Sequence, residues 1–264
     1  MLKYALEKVR DGLVSIAYPQ QCRVCSGPVE AWADGVACRG CWLDPARTRL
    51  LINSPVCGRC GAPLSGPARP APAEGPPGCA LCLGSSFAAA RACGVYSGAV
   101  EACLLFLKSH PHICRRLCAI IKQTVSEHSR ALACDVVMPV PLHRLRRRER
   151  GFNQAALVAK EVARALRVPV DERTLARVKH TERHRAGMDL LDRARSVKSA
   201  FVVTRLRLAE SRVVLLVDDL FTTGSTVNEA ARVLLKAGAS RVNVLTVARA
   251  VMGEKPPRIR TLDG

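Results

Sequence analysis

The period of the apolar positions changes twice along the chain. Leu2, Ala5, Leu6, Val9, Leu13, Ile16 and Ala17 recur at three- and four-residue spacing, which predicts one apolar stripe of a short helix over residues 1–18, ended by Pro19. Lys3, Lys8 and Arg10 flank that stripe; packing on the body of the protein is expected rather than a membrane surface. Residues 19–85 have no sustained period and many Gly and Pro. Pro67, Pro70, Pro72, Pro76 and Pro77 predict an exposed loop over 63–78. From about residue 87 helical and strand periods alternate. Helices are expected at 99–108, 113–125, 153–166 and 225–237, the last closed by Gly238. Strands are expected at 135–139, 200–203, 213–217 and 242–248. Alternation of this kind defines an α/β domain over 87–252, a mostly parallel sheet covered by helices on both faces.

Composition narrows the class. With 48% hydrophobic and 24% charged residues, the 264-residue chain is neither disordered, collagen-like nor a coiled coil. Aromatics are only 4%, so Leu, Val and Ala must build the core. No apolar run approaches the ~18 residues of a membrane span, and the first residues lack a signal-peptide pattern. A cytoplasmic protein is expected. Lys and Arg outnumber Asp and Glu by 41 to 22, a formal charge of +19. That surplus favours anionic partners: nucleic acid, phosphorylated metabolites or an acidic membrane face. A solvated surface rich in arginine gives the same surplus, so charge alone selects no partner.

Thirteen cysteines bring in metal chemistry. Reduced thiols clustered in a cytoplasmic chain read as metal ligands. Eight form four CxxC pairs: Cys22/Cys25, Cys38/Cys41, Cys57/Cys60 and Cys79/Cys82. Each pair lets two thiolates grip one ion from a tight turn, and two pairs complete a tetrahedral S₄ site that suits Zn²⁺. Two structural zinc ions are expected. Sequential pairing is the simplest closure, although a crossed pairing also fits the spacing. Each filled site is net −2, which would lower the charge from +19 to +15. Closed Cys₄ sites serve folding, not catalysis. Gly27, Gly58 and Gly61 stand where knuckle turns often need positive φ. Losing Cys22 is expected to unfold this module and leave the α/β body standing. Cys93, Cys103, Cys114, Cys118 and Cys134 lack knuckle spacing and read as buried small hydrophobes.

The densest chemistry lies at 213–226. An apolar strand ends in Asp218 and Asp219, a loop of Thr222, Thr223 and Gly224 follows, and Ser225 and Thr226 open a helix. Loop amides and a helix N-terminus make an anion site. Two acids at the carboxyl end of a strand suit vicinal sugar hydroxyls, at the edge where open α/β sheets bind ligands. A basic run, 143–150, holds five arginines, among them Arg146, Arg147, Arg148 and Arg150. Its place after the Pro139–Pro141 stretch aims it at the same pocket mouth. Arginine forks there suit pyrophosphate or a nucleic-acid backbone.

The run from Asp218 to Thr226 resembles the phosphoribosyl-pyrophosphate (PRPP) motif of type I phosphoribosyltransferases. Within that class, Pro139-Val140-Pro141-Leu142 and Arg150-Gly151-Phe152-Asn153-Gln154 resemble the ComF family, which also carries an N-terminal double zinc ribbon. The resemblance implies a type I phosphoribosyltransferase fold at 87–252, a double zinc ribbon at 19–85 and the helix at 1–18. It implies that Asp218 and Asp219 bind ribose hydroxyls and that Thr222, Thr223, Gly224, Ser225 and Thr226 hold a 5′-phosphate. Val140, Pro141 and Leu142 would lead the pyrophosphate loop, with Arg146, Arg147 and Arg150 as its basic side chains. Mg²⁺ would arrive with PRPP, and residues 179–185, continuing to Arg193 and Arg195, resemble a mobile loop over the site. No residue is assigned as the catalytic group.

Three functions fit these residues. One is a phosphoribosyltransferase acting on an unidentified acceptor. Another is a single-stranded DNA-binding protein that works with competence DNA-uptake proteins. The third is a sensor that binds PRPP without turnover. Ten aromatics in the whole chain offer few stacking platforms for a single strand.

Overall fold

The computed structural model describes residues 14, 18–52, 54–64, 79–179, 197–205 and 209–251. The helix expected at 1–18 lies outside these residues except for Val14 and Tyr18, as do most of the Pro-rich loop and the basic segment from residue 180 to 196.

Among the described residues, four strands form one parallel sheet in the order β1-β6-β5-β2: β1 (Ala89–Val95), β6 (Arg241–Arg249), β5 (Val213–Phe221) and β2 (Val136–Pro139). The apolar run of β5 is buried from Val214 to Val217 because both faces of the sheet are covered. On one face, α2 (Gly98–Phe106), α3 (Arg115–Glu127) and α5 (Gln154–Leu166) join Leu215, Val217, Leu245 and Val247 in one core. On the other face, α6 (Ser225–Lys236) joins Val214, Leu216, Val242 and Val244 in a second. Helix boundaries follow the sequence expectation to within two residues.

Two strand expectations need correction. The strand at 213–217 runs on to Phe221, so Asp218 and Asp219 lie within it and not after it. β2 stops at Pro139 opposite Val217, which leaves the acids on the part of β5 that projects beyond its neighbour. The strand expected at 200–203 does not enter the parallel sheet. It is β4 (Phe201–Val203), paired antiparallel with β3 (Leu175–Arg177), a three-residue strand too short to show a period.

The cysteine region holds two units of one design. In each, the first CxxC sits in a knuckle closed by an antiparallel bridge, Gln21 with Pro28 and Val56 with Pro63. The second CxxC sits on a helical turn, in α1 (Arg39–Leu43) preceded by Cys38 and in the 3₁₀ turn Ala80–Cys82. The positive φ falls at Ser26 in the first knuckle and at Gly61 in the second, not at Gly27 or Gly58. A Cβ on Gly61 would stand 2.6 Å from the Ala90 carbonyl oxygen, so only glycine lets this knuckle lie against β1.

The two units pack into the body, one on each face of the sheet. Cys22, Cys38, Cys41 and Trp42 belong to the core with Leu215 and Leu245, whereas Cys57, Cys60 and Cys82 belong to the opposite core with Leu216 and Val244. The units therefore add to opposite cores of one sheet. This revises the expectation that the body would survive loss of Cys22.

Candidate functional site

Two centres are built from the cysteines. Among the described residues, Cys22, Cys25, Cys38 and Cys41 bring their Sγ atoms within 4.8 Å of one another, and Cys57, Cys60, Cys79 and Cys82 do the same. The grouping is the sequential one. Zn–S bonds of ~2.3 Å at tetrahedral angles put sulfurs about 3.8 Å apart. The separations are 3.7 Å for Cys25–Cys38, 3.9 Å for Cys57–Cys82 and 3.5 Å for Cys60–Cys79, which fits such an ion. The Gly27 backbone N–H holds the Cys25 thiol down at about 7. Burial pushes the Cys41 thiol up, against a hydrogen bond from Arg47 Nη1 to its sulfur at 3.3 Å. The eight residues could hold two metal ions, and four thiols per centre are the donor set of zinc. Of the other cysteines, Cys93, Cys103 and Cys114 are buried and Cys118 and Cys134 half-buried, all as free thiols.

The second candidate is a cavity of about 500 Å³ at the C-terminal edge of the sheet. Asp218, Asp219, Leu220, Thr222 and Thr226 line one side of it. Val140, Pro141 and Leu142 line another, directly after β2. Val140 is anchored by its N–H to Val217 O at 2.8 Å, and its carbonyl accepts from Asn153 Nδ2 at 3.0 Å. Asn153 also N-caps α5, taking the Ala155 N–H at 3.2 Å. This one side chain thus fixes the loop after β2 against α5. Arg150 reaches the same wall and donates to Gln154 Oε1.

The loop after β5 is held from within. Thr223 Oγ1 lies 2.7 Å from Ser225 Oγ and accepts the Ser225 N–H at 3.2 Å. Gly224 has φ 78°, and a Cβ there would meet Phe221 Cζ at 2.5 Å. The chain can therefore close over the Phe221 ring and enter α6 only with glycine at this point.

Electrostatics divide the two acids. Burial, then the neighbouring Asp219 carboxylate, pushes the Asp218 pKa well above the usual carboxylate range. The Asp219 backbone N–H, 2.9 Å from Asp218 Oδ1, and the Arg177 guanidinium oppose that shift. Tyr96 is pushed up to about 12 by burial, then by Glu101 and Asp219.

Helix α4 (Arg144–Arg150) splits the arginine run. Arg146 and Arg150 line the acid-bearing cavity. Arg147 does not: with Arg173, Arg205 and Arg212 it lines a separate cavity of about 630 Å³ floored by Val136 and Val170. This corrects the placement of Arg147 beside the acids. Helical rotation separates neighbours in sequence, and a run read as one patch becomes two. Two further cations line the acid-bearing cavity without any sequence signal, Lys108 past the end of α2 and Arg177 at the end of β3. Both enter through tertiary folding, and neither stands in a motif.

The phosphoribosyl transferase domain family matches residues 153–263. With the parallel sheet, the acids and the anion-type loop, this defines a type I phosphoribosyltransferase domain carrying two Cys₄ units. The DNA utilization protein YhgH of Salmonella typhimurium is 30% identical over 243 residues, 89% of this chain and 99% of that protein. Competence protein F of Haemophilus influenzae is 40% identical over 118 residues, 44% of this chain and 51% of that protein. The chain belongs to the ComF family. Competence protein ComFC of Bacillus subtilis is 35% identical over 118 residues, 43% of this chain and 44% of that protein. Among solved structures, a purine phosphoribosyltransferase from Pyrococcus horikoshii aligns at TM-score 0.29 and 17% identity over 55% of this chain and 92% of that one. A likeness that low adds nothing to the sheet topology. No helix of the described residues is long and apolar enough to cross a membrane.

Proposed function

We propose that this chain binds PRPP with Mg²⁺ and transfers its phosphoribosyl group to an acceptor. The observation that carries the reading is one cavity shared by two acids, the two ends of an anion-type loop at Thr222 and Thr226, and several cations. Asp218 and Asp219 would receive the ribose 2′- and 3′-hydroxyls, and Thr222 to Thr226 the 5′-phosphate. Arg146 and Arg150, with Val140, Pro141 and Leu142, would cradle the pyrophosphate. When bound, Mg²⁺ would supply neutralising charge to the pyrophosphate group. The protein's part is then to stabilise the leaving pyrophosphate and to position the sugar, which needs little covalent help. The domain limits of 19–85 and 87–252 and a cytoplasmic location belong to the same reading. Release of pyrophosphate from PRPP in the presence of candidate bases and amines separates a transferase from a sensor. The double variant Asp218→Asn/Asp219→Asn must be silent in that assay, and PRPP affinity that survives it would refute the site.

A second reading is supported by the separate basic cavity. Arg147, Arg173, Arg205 and Arg212 line it together with Asp171 and Glu172, four cations to two acids, and two relatives are named for DNA utilization and competence. Single-stranded DNA following these arginines would bind beside PRPP and not in its place. Both activities can therefore coexist, and a salt series with and without PRPP distinguishes a shared site from two.

A further inference from the structure

Arg249, the last residue of β6, is 5% exposed. Its Nη1 donates to Cys60 O at 2.8 Å, its Nη2 lies 3.8 Å from Cys60 Sγ, and its guanidinium stacks 4.3 Å from the centre of the Phe221 ring. Among the described residues no carboxylate pairs with it. A buried guanidinium needs a counter-charge. The neighbouring group able to supply one is the second Cys₄ centre, which would carry −2 with four thiolates on one divalent ion. Arg91, itself half-buried, donates to Gly58 O at 3.0 Å beside the same cysteines as the buried Arg249.

The other side of Arg249 is the phosphate-type loop. Phe221 is the ring over which Gly224 closes. Phe87, which follows the last ligand pair, sets its ring edge-on to Phe221 at 6.1 Å. Ser86 N–H donates to Asn228 Oδ1, in the first turn of α6, at 2.5 Å. Among the described residues, the first Cys₄ centre has no such connection. Its own arginine, Arg47, is half-exposed and paired with Asp44 at 3.1 Å.

We propose that Arg249 is a positioning residue that couples the second metal centre to the anion loop. The loaded tetrathiolate holds Arg249, Arg249 holds the Phe221 ring, and the ring sets the height of Gly224. Loss of metal at Cys57, Cys60, Cys79 and Cys82 then loosens residues 222–228 although no ligand of the metal touches the cavity. The inference rests on the reading of that loop as an anion site, but its first readout does not require PRPP.

The test is hydrogen exchange of the 221–228 segment in the full chain, with zinc counted on every sample. Arg249→Gln should keep two zinc ions and exchange this segment on the order of tenfold faster, the scale of one desolvated cation–π interaction. Cys79→Ser, with one zinc lost, should accelerate it at least as much, Arg249→Lys should fall between wild type and Arg249→Gln, and Arg47→Gln should leave the segment at the wild-type rate. Wild-type exchange in Arg249→Gln, or in Cys79→Ser lacking the second zinc, overturns the coupling. Equal acceleration by Arg47→Gln overturns it too, because it would reveal general loosening. PRPP titrated into the same samples separates the two ideas. Wild-type protein that ignores PRPP defeats the ligand reading while exchange still decides the coupling. Wild-type protein that binds PRPP should lose about tenfold in affinity on Arg249→Gln.

Discussion

Gly151 and Gly224 share a φ of 78° and differ in what surrounds them. A methyl group added at Gly151, the C-cap of α4, meets nothing within 4 Å, whereas at Gly224 it comes within 2.5 Å of Phe221 Cζ. Left-handed backbone costs an alanine roughly 1–2 kcal/mol at either place. At Gly224 the Phe221 ring must also shift, and that ring is wedged between Phe87 and Arg249. Overpacking of this kind costs about 1–3 kcal/mol more. Gly224→Ala should therefore destabilise the protein by about 2–5 kcal/mol and Gly151→Ala by only about 1–2 kcal/mol. Urea unfolding followed by circular dichroism measures both, with zinc content held equal. Phe221→Leu in the Gly224→Ala background should return part of the excess, as a coupled pair does. Equal costs at the two glycines, within about 0.5 kcal/mol, would refute the claim that Phe221 sets the loop.

Other outcomes follow from the same geometry. The protein should carry about two zinc ions per chain, and because both centres join the cores of the sheet, strong chelation should melt the α/β body along with the cysteine units; a body that keeps its melting transition without zinc would contradict this. Burial and Asp219 hold the Asp218 pKa above its unfolded value, so the folded state keeps a proton the unfolded state releases, and stability rises as pH falls through that pKa. Asp218→Asn removes this slope: its Tm should exceed wild type at pH 8, with the gain fading towards about pH 4, and a lower Tm at pH 8 would be the opposite sign. For single-stranded DNA, Arg147→Ala/Arg173→Ala/Arg212→Ala should flatten the dependence of log K on log salt by roughly 0.7 for each phosphate no longer neutralised. Arg146→Ala/Arg150→Ala should weaken PRPP binding instead, and the reverse pattern would return the strand to the acid-bearing cavity.

Much of the site was legible because its signals are local. The CxxC spacing alone picks out the eight thiols that gather into two groups, and the run from Asp218 to Thr226 is one strand, one turn and one helix start. Placement across the fold was not legible. The two cysteine units are adjacent in sequence yet belong to opposite cores, since nothing in residues 19–85 records which face each will cover. The extension of β5 through Asp218 and Asp219 escaped because carboxylates look like a strand end, whereas pairing with β6 continues to Phe221 opposite Arg249. Arg147 was grouped with Arg146 by adjacency, and helical rotation parted them. Arg249 carried no signal at all. It closes an apolar strand as an ordinary terminal charge, and its burial beside Cys60 depends on a hydrogen bond between residues 189 apart.

Isothermal titration of zinc-loaded protein with PRPP and Mg²⁺ tests the central claim most directly. The account predicts saturable binding of one PRPP per chain, absent in Asp218→Asn/Asp219→Asn protein that retains its zinc and its melting transition. No heat of binding from the wild-type chain, or the same affinity in the double variant, would contradict it.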